Sequence, residues 1–353
     1  ITQRPHHFSS DVAQRRERTP MKLVIPMAGL GTRMRPHTWA RPKPLLPVAG
    51  KPMLDHVLDR FRDLPIDEYV FIIGWLGDQI EAFMKQQYDI PTTFITQDEM
   101  LGQAHAIWLA RERLEGPLFL MFVDTLFDDV DFANLDQPGL DGMIFTKETE
   151  DPRRFGVVET DASGRATKLI EKPTSVENKT VLMGLYYFQN GAWLARACEE
   201  LMERRIQTRG EYYLADAVTL MIEQGANFRT RLVGVWQDTG KPETTLEAQR
   251  YLLEQGHDNS YMAPRPGVVV IPPVFVHPQA VVEQSVIGPN VSIGKDAVIR
   301  DSILRDTIVD EGAELETVML KRSIVGRWAK LKGKFHQMSI GDSSTSDVIC
   351  YKE

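Results

Sequence analysis

Apolar residues fall into two kinds of pattern over positions 21–255. Uninterrupted runs, Leu23-Val24-Ile25, Tyr69-Val70-Phe71-Ile72-Ile73 and Leu118-Phe119-Leu120-Met121-Phe122-Val123, read as strands buried on both faces. Between them Met53, Leu54, Val57, Leu58 and Phe61 recur at helical spacing behind Pro52, a residue suited to a first helical turn. Further helices are predicted over 78–88 and 102–114, and a short strand over 92–95. Strands alternating with helices imply a mostly parallel sheet covered on both faces. Beyond residue 140 the pattern is mixed, with strands predicted at 143–145, 155–159, 166–170 and 181–188 and a hairpin turn at 161–164. Helices follow at 192–204 and 212–223, then a strand from 228 to 236 leading to Asp238, then a closing helix over 242–255. The fold class is α/β: a Rossmann-like mixed, mostly parallel sheet over 21–255.

The rest of the chain has a different period. Val276, Val282, Ile287, Ile293, Ile299, Leu304, Val309, Leu315, Leu320, Val325 and Leu331 are spaced five or six positions apart, with small or turn residues between them. A hexapeptide period predicts a β-helix over 271–335, three hexapeptides to a coil and about three coils in all. Residues 256–270 are polar and rich in Pro and Gly, a linker, and 336–353 form a C-terminal tail. Residues 1–20 hold four Arg and no apolar h-region, and read as a tag-like or disordered N-terminal extension before Met21.

Composition narrows the partners. A net charge of -8 argues against nucleic acid, although it leaves room for a nucleotide in a local basic pocket. No run approaches the length of a membrane span, so no membrane partner is expected. Two cysteines, Cys198 and Cys350, stand far apart in no metal-like spacing, which suits a reducing, cytoplasmic setting.

One stretch carries most of the chemistry. Residues 24–54 read VIPMAGLGTRMRPHTWARPKPLLPVAGKPML. A strand opens into Ala28-Gly29-Leu30-Gly31, then Thr32, Arg33 and Arg35, then Arg41 and Lys43 among prolines. A glycine turn after a strand leaves backbone N–H groups unpaired, and nearby cations make the guest an anion, a polyphosphate above all. A Walker A loop is excluded because Pro52 follows Gly50-Lys51. A dinucleotide fingerprint is excluded because Met34 stands where the third glycine belongs. Asp124 and Asp238 each follow an apolar strand, and two carboxylates facing a polyphosphate suit Mg²⁺. Gln97 offers a donor and an acceptor, which suits the O4/N3–H edge of uracil or thymine.

The pattern Gly29, Gly31-Thr32-Arg33, Pro36, Thr38, Pro42-Lys43-Pro44 and Pro47-Val48-Ala49-Gly50-Lys51-Pro52 resembles, without a gap, the signature of the sugar-1-phosphate nucleotidyltransferases. Ala28-Gly29-Leu30-Gly31-Thr32-Arg33-Met34 is similar to the wording common in the uridylyl-transferring branch, and the C-terminal repeat resembles the left-handed β-helix appended to many members. The resemblance implies attack by a hexose 1-phosphate, glucose 1-phosphate foremost, on the α-phosphorus of UTP or dTTP, giving NDP-sugar and pyrophosphate. It implies catalytic roles for Arg33 and Lys43 on the triphosphate and for Lys172, in Glu171-Lys172-Pro173, on the sugar phosphate. Ala28, Gly29, Gly31, Thr32, Gln97 and Gly102 would bind the nucleotide, and Gly156, Glu171 and Gly184 the sugar. Asp124 and Asp238 would be the Mg²⁺ ligands; the first departs from the usual pattern in having Val123 before it rather than Gly. Three alternatives stay open: a mannose-1-phosphate guanylyltransferase, an adenylyl-transferring relative, and a non-catalytic regulatory paralogue that binds nucleotide sugar. The β-helix is expected to pair subunits into a homo-oligomer rather than to act as an acetyltransferase through His277 or His336.

Overall fold

The computed structural model describes residues 20–263 and 265–335. The extension ahead of Pro20 and the tail 336–353, with His336 and Cys350, lie outside the described residues. The chain divides into two compact units, one ending at Leu252 and one starting at Leu253.

In chain order the first unit contains β1 (Met21–Pro26), the short pair β2 (Pro47–Val48) and β3 (Lys51–Pro52), α1 (Met53–Asp59), β4 (Ile66–Ile73), α2 (Gly77–Gln87), β5 (Thr92–Thr96) and α3 (Gln103–Leu109). There follow β6 (Leu118–Met121), β7 (Thr125–Asp128), β8 (Gly142–Glu148), β9 (Gly156–Thr160), β10 (Ala166–Glu171), β11 (Thr180–Phe188), α4 (Gly191–Glu203), α5 (Leu214–Glu223), β12 (Phe228–Leu232), β13 (Val235–Asp238) and α6 (Pro242–Leu252). Among the described residues nine strands make the main sheet. Strands β5, β4, β1 and β6 lie side by side and parallel. Next comes β11, antiparallel to β6, then β8 and β12. The β9–β10 pair joins β11 through Val181 and Val157. From β1 the chain moves to β4 and β5 on one side, then returns to place β6 on the other. The carboxyl end of β1 is therefore a topological switch point, where a crevice opens in sheets of this kind.

The uninterrupted runs are buried as expected: Leu23, Val24, Ile25, Val70, Phe71, Ile72 and Leu120 have no exposed surface. Just beyond α1, the ring of Phe61 meets Phe119 of β6 edge-on at 5.6 Å and Phe127 of β7 at 5.7 Å.

Two predicted strands break, and the breaks shape the site. The run 118–123 leaves the sheet at Met121, because Thr125 donates its N–H to the Phe122 carbonyl and reverses the chain. The strand expected over 228–236 splits at Val233-Gly234. There the chain bends: a Cβ on Gly234 would lie 2.2 Å from an Asp129 carboxylate oxygen and 2.7 Å from Asp129 Cβ, so a side chain would force Asp129 to move. Strands β7 and β13 then pair with each other as an antiparallel ribbon outside the main sheet.

The second unit is a β-helix of three faces. Val274 pairs with Val291 and Val291 with Thr307, Val281 with Val298 and Val298 with Glu314, so a coil takes 16 or 17 residues rather than 18. Among the described residues each face carries four rungs, more than the three coils expected. Shortening occurs at the corners, where successive coils repeat a left-handed residue: Gly267, Gln284, Asp301 and Thr317; Asn290, Asp306 and Arg322; Asp296, Gly312 and Trp328. The periodic aliphatics from Val276 to Leu315 are buried in the axis, whereas Leu320 and Val325 are half-buried and Leu331 is exposed on the last rungs described. Ile299→Ala should empty a fully enclosed position and cost about 2–5 kcal/mol, read as a lower urea midpoint for this unit.

Candidate active site

The glycine loop leaves β1 while still tied to β4, since the Met27 N–H donates to Ile72 O at 2.8 Å. Beyond that point, among the described residues, no acceptor is found for the N–H groups of Gly29, Leu30, Gly31 and Thr32. Gly31 is left-handed at φ +61° and opens a single 3₁₀ turn, Thr32–Met34. Buried Thr38 folds back and donates its hydroxyl to Gly31 O at 2.9 Å. A Cβ on Gly31 would stand 3.0 Å from the Thr38 methyl and 3.3 Å from Lys43 Cβ, so the missing side chain lets the loop close on both.

This loop forms one wall of a cleft of about 390 Å³. Ala28, Gly29, Gly31, Thr32, Arg33 and Lys43 line it on one side; Gln97, Gly102, Asp124 and Glu211 also line it. Lys43 reaches from its 3₁₀ turn to Asp124 Oδ2 at 2.9 Å, with only 13% of its side chain exposed. Arg33, 56% exposed, approaches the same oxygen at 3.7 Å. Burial works to raise the Asp124 pKa, but the charge and hydrogen bond of Lys43, with Arg33 behind, hold it below the usual carboxylate value.

Asp238 comes to this point along the ribbon, where it is the register partner of Thr125, the residue after Asp124. Thr239 locks the two strands by donating both its N–H, at 2.9 Å, and its hydroxyl, at 3.1 Å, to Asp124 O. Asp238 Oδ1 accepts the Gly240 N–H at 2.8 Å, and a Cβ on Gly240 would lie 2.9 Å from the Arg33 guanidinium. Asp124, Asp238 and Arg33 therefore converge. Among the described residues no group of three or more His, Cys, Asp or Glu is placed to cage a metal. Two carboxylates suit a cation that keeps most of its ligands from water and phosphate, as Mg²⁺ does.

The remaining predicted residues form a second cluster. Glu171 pairs across from Gly156, and a Cβ there would lie 3.0 Å from Glu171 Oε2 and 2.6 Å from Leu182 Cδ1. Burial raises the Glu171 pKa, opposed by Lys172 and Arg209 and helped by Asp216 and Glu211. Lys172 is left-handed at φ +47°, and its ammonium is 2.5 Å from Tyr213 Oη and 4.7 Å from that ring's centre. Gly184 sits where β11 slips register against β8; its carbonyl accepts the Phe122 N–H at 3.0 Å, joining this cluster to the Asp124 turn.

Gln97 is 5% exposed. Its amide nitrogen lies 3.2 Å from Gly102 O and 3.1 Å from His105 Nδ1, so it is engaged within the protein. Gly102, at φ +117°, runs against Tyr212, whose carbonyl oxygen would be 2.5 Å from an added Cβ. Sequence reasoning passed over His105, Tyr213 and Thr239. Thr239 is marked by its place after Asp238; none of the motifs described above includes Tyr213 or His105.

The profile of the nucleotidyl transferase family matches residues 22–255. The chain belongs to that family. Relatives include the low-salt glycan biosynthesis nucleotidyltransferase Agl11 of Haloferax volcanii, 34% identical over 242 residues, 66% of this chain and 66% of that protein. The bifunctional protein GlmU of Methanocaldococcus jannaschii is 32% identical over 238 residues, 67% of this chain and 55% of that protein. The UTP–glucose-1-phosphate uridylyltransferase AglF of Haloferax volcanii is 30% identical over 242 residues, 67% of this chain and 98% of that protein. The matched part thus spans just under two thirds of Agl11 and about half of GlmU.

Two outcomes follow from this geometry. Gly102→Ala should destabilise the first unit by about 1 kcal/mol or more, seen as a lower melting temperature, because a side chain is strained at that φ and meets Tyr212. The Asp124 carboxyl has a lower pKa folded than unfolded, so its pairing stabilises the fold above about pH 4 and is lost as pH falls through the folded value. Lys43→Met should flatten that acid limb in urea unfolding measured from about pH 2 to 6.

Proposed function

We propose that the cleft binds UTP or dTTP and that the enzyme transfers its nucleotidyl group to a hexose 1-phosphate, probed first with glucose 1-phosphate, releasing pyrophosphate. The observation that carries this is the meeting of Lys43, Arg33, Asp124 and Asp238 beside the glycine loop. Two polyanions must be brought together in line, and the protein's work is charge neutralisation and positioning. The N–H groups of Gly29 to Thr32 and the Arg33 guanidinium take the β and γ phosphates, and Arg33 steadies the departing pyrophosphate. Lys43, now on Asp124, carries its charge to the triphosphate. Lys172, held by Tyr213, orients the sugar phosphate, while Glu171 accepts hydroxyl hydrogen bonds in the space left by Gly156, with Gly184 approaching the sugar through its backbone. Asp124 and Asp238 would hold Mg²⁺. When bound, it adds positive charge against the phosphate oxygens and lowers the barrier to attack at the α-phosphorus.

The presence of all four charged residues supports an enzyme over a non-catalytic paralogue, and the uridylyltransferase name among the relatives supports a pyrimidine. The cytoplasm is proposed as the site of activity, supported by the free buried thiol of Cys198. Among the described residues no helix is long and apolar enough to cross a membrane. A homo-oligomer is proposed through the β-helix, where Val269, Val286, Ile303 and Met319 stack in register on one outer face and three of them are exposed. His277 uses Nδ1 to accept the Gln279 N–H in a turn, which supports a structural role over acyl transfer.

Pyrophosphate release across the common nucleoside triphosphates and several sugar 1-phosphates tests the reading, with UTP or dTTP expected to lead. Asp238→Asn should lower kcat about 10²-fold or more with the circular dichroism unchanged; near-native turnover would remove Asp238 from the metal role. Lys172→Ala should raise KM for the sugar phosphate more than for the triphosphate, and the opposite order would reject its place.

A further inference from the structure

Gln97 is the one predicted nucleotide contact whose chemistry depends on which way an amide points. The amide has an oxygen that accepts and a nitrogen with two hydrogens to donate. Two neighbours decide its direction. Gly102 O, 3.2 Å away, can only accept, so the end of Gln97 that faces it is the nitrogen. His105 Nδ1 is 3.1 Å from the same nitrogen, and the second amide hydrogen goes there. Nδ1 must then present its lone pair, which puts the imidazole proton on Nε2. Trp108, one helical turn further along α3, lies stacked beside the His105 ring at 6.3 Å, 25° from parallel. Both amide hydrogens are spent inside the protein, and turning the amide over would set its oxygen against the Gly102 oxygen and the Nδ1 lone pair. A ligand reaching Gln97 in the cleft is offered the oxygen.

We propose that His105 is a positioning residue for base selection: it saturates the Gln97 nitrogen, so the site takes a nucleobase that brings its own ring N–H to that oxygen. Uracil and thymine do so at N3 and guanine at N1. Cytosine at N3 and adenine at N1 bring a lone pair instead and are turned away. This sharpens the sequence reading, in which Gln97 served as donor and acceptor at once: the donor toward the base's carbonyl has to come from elsewhere, and Gly102, which lines the same cleft, has a backbone N–H to offer. His105 acts through Gln97 and need not touch the base. The inference rests on the proposed function in that Gln97 must face the base.

The test is kcat/KM for UTP and for CTP, at saturating sugar phosphate, in the native protein, His105→Leu and His105→Asn. The native protein should prefer UTP by about 10²-fold or more. His105→Leu frees one amide hydrogen, and the UTP-to-CTP ratio should fall about tenfold, the worth of one hydrogen bond, while KM for the sugar phosphate stays put. In His105→Asn the side-chain oxygen takes roughly the place of Nδ1, accepts the same hydrogen and should restore most of the ratio. His105→Lys puts a donor where the acceptor stood and should lower the ratio further, which keeps the test open if the leucine variant does not fold. An unchanged ratio in the leucine and lysine variants, or equal loss in leucine and asparagine, overturns the role of His105 and leaves the proposed function intact. A native protein that uses CTP as well as UTP overturns the base reading itself.

Discussion

The Lys43 ammonium on the Asp124 carboxylate, 2.9 Å apart, is the contact on which the rest of the site depends. It ties the loop that follows β1 to the turn that follows β6, the two parallel neighbours at the switch point of the sheet. A carboxylate drawn out of water is costly alone and tolerable beside a cation, and here the cation belongs to the loop. Everything else converges on that pair: Arg33 on the same oxygen, Thr239 on the Asp124 backbone, Gly184 on the neighbouring Phe122. The pairing also has a functional logic. Lys43 neutralises Asp124, and under the proposed function the same charge would serve a triphosphate.

Where the chain spelled out its chemistry, it did so through backbone requirements. Gly31 and Gly102 occupy left-handed conformations hard against Thr38 and Tyr212, and Gly156 leaves the space that Glu171 fills. Each demand falls on the glycine itself, and a linear motif records the glycine. The apolar runs were legible for a similar reason, since strands buried on both faces need no partner to be recognised. The breaks were not. Nothing between Phe228 and Asp238 except Gly234 hints that the strand changes sheets, yet that bend lets Asp238 pair beside Asp124. Likewise a run of six apolar residues, 118–123, gives no sign that the sheet releases it at Met121. His105 was illegible because its role is a tertiary contact with a side chain eight residues away across a glycine turn.

The β-helix shows the same division. Its aliphatic period fixed which residues point inward, because burial selects them one by one. The coil length of 16 or 17 residues goes with the corners, where a left-handed residue recurs, most often Asp, Asn or Gly but also Gln284, Thr317, Arg322 and Trp328. Left-handed tolerance is a weak signal in a single residue and becomes clear only when three corners repeat it on successive coils.

The proposed reaction is a displacement: a phosphate oxygen of one substrate expels pyrophosphate from the other, with no water as acceptor. Following the phosphorus resonances of UTP and glucose 1-phosphate together by ³¹P NMR tests it most directly. The signals of pyrophosphate and of a new diphosphate diester should grow in equal amounts as both substrates decline. Inorganic phosphate or UMP appearing with glucose 1-phosphate unchanged would contradict it, because the site would then be hydrolysing the triphosphate.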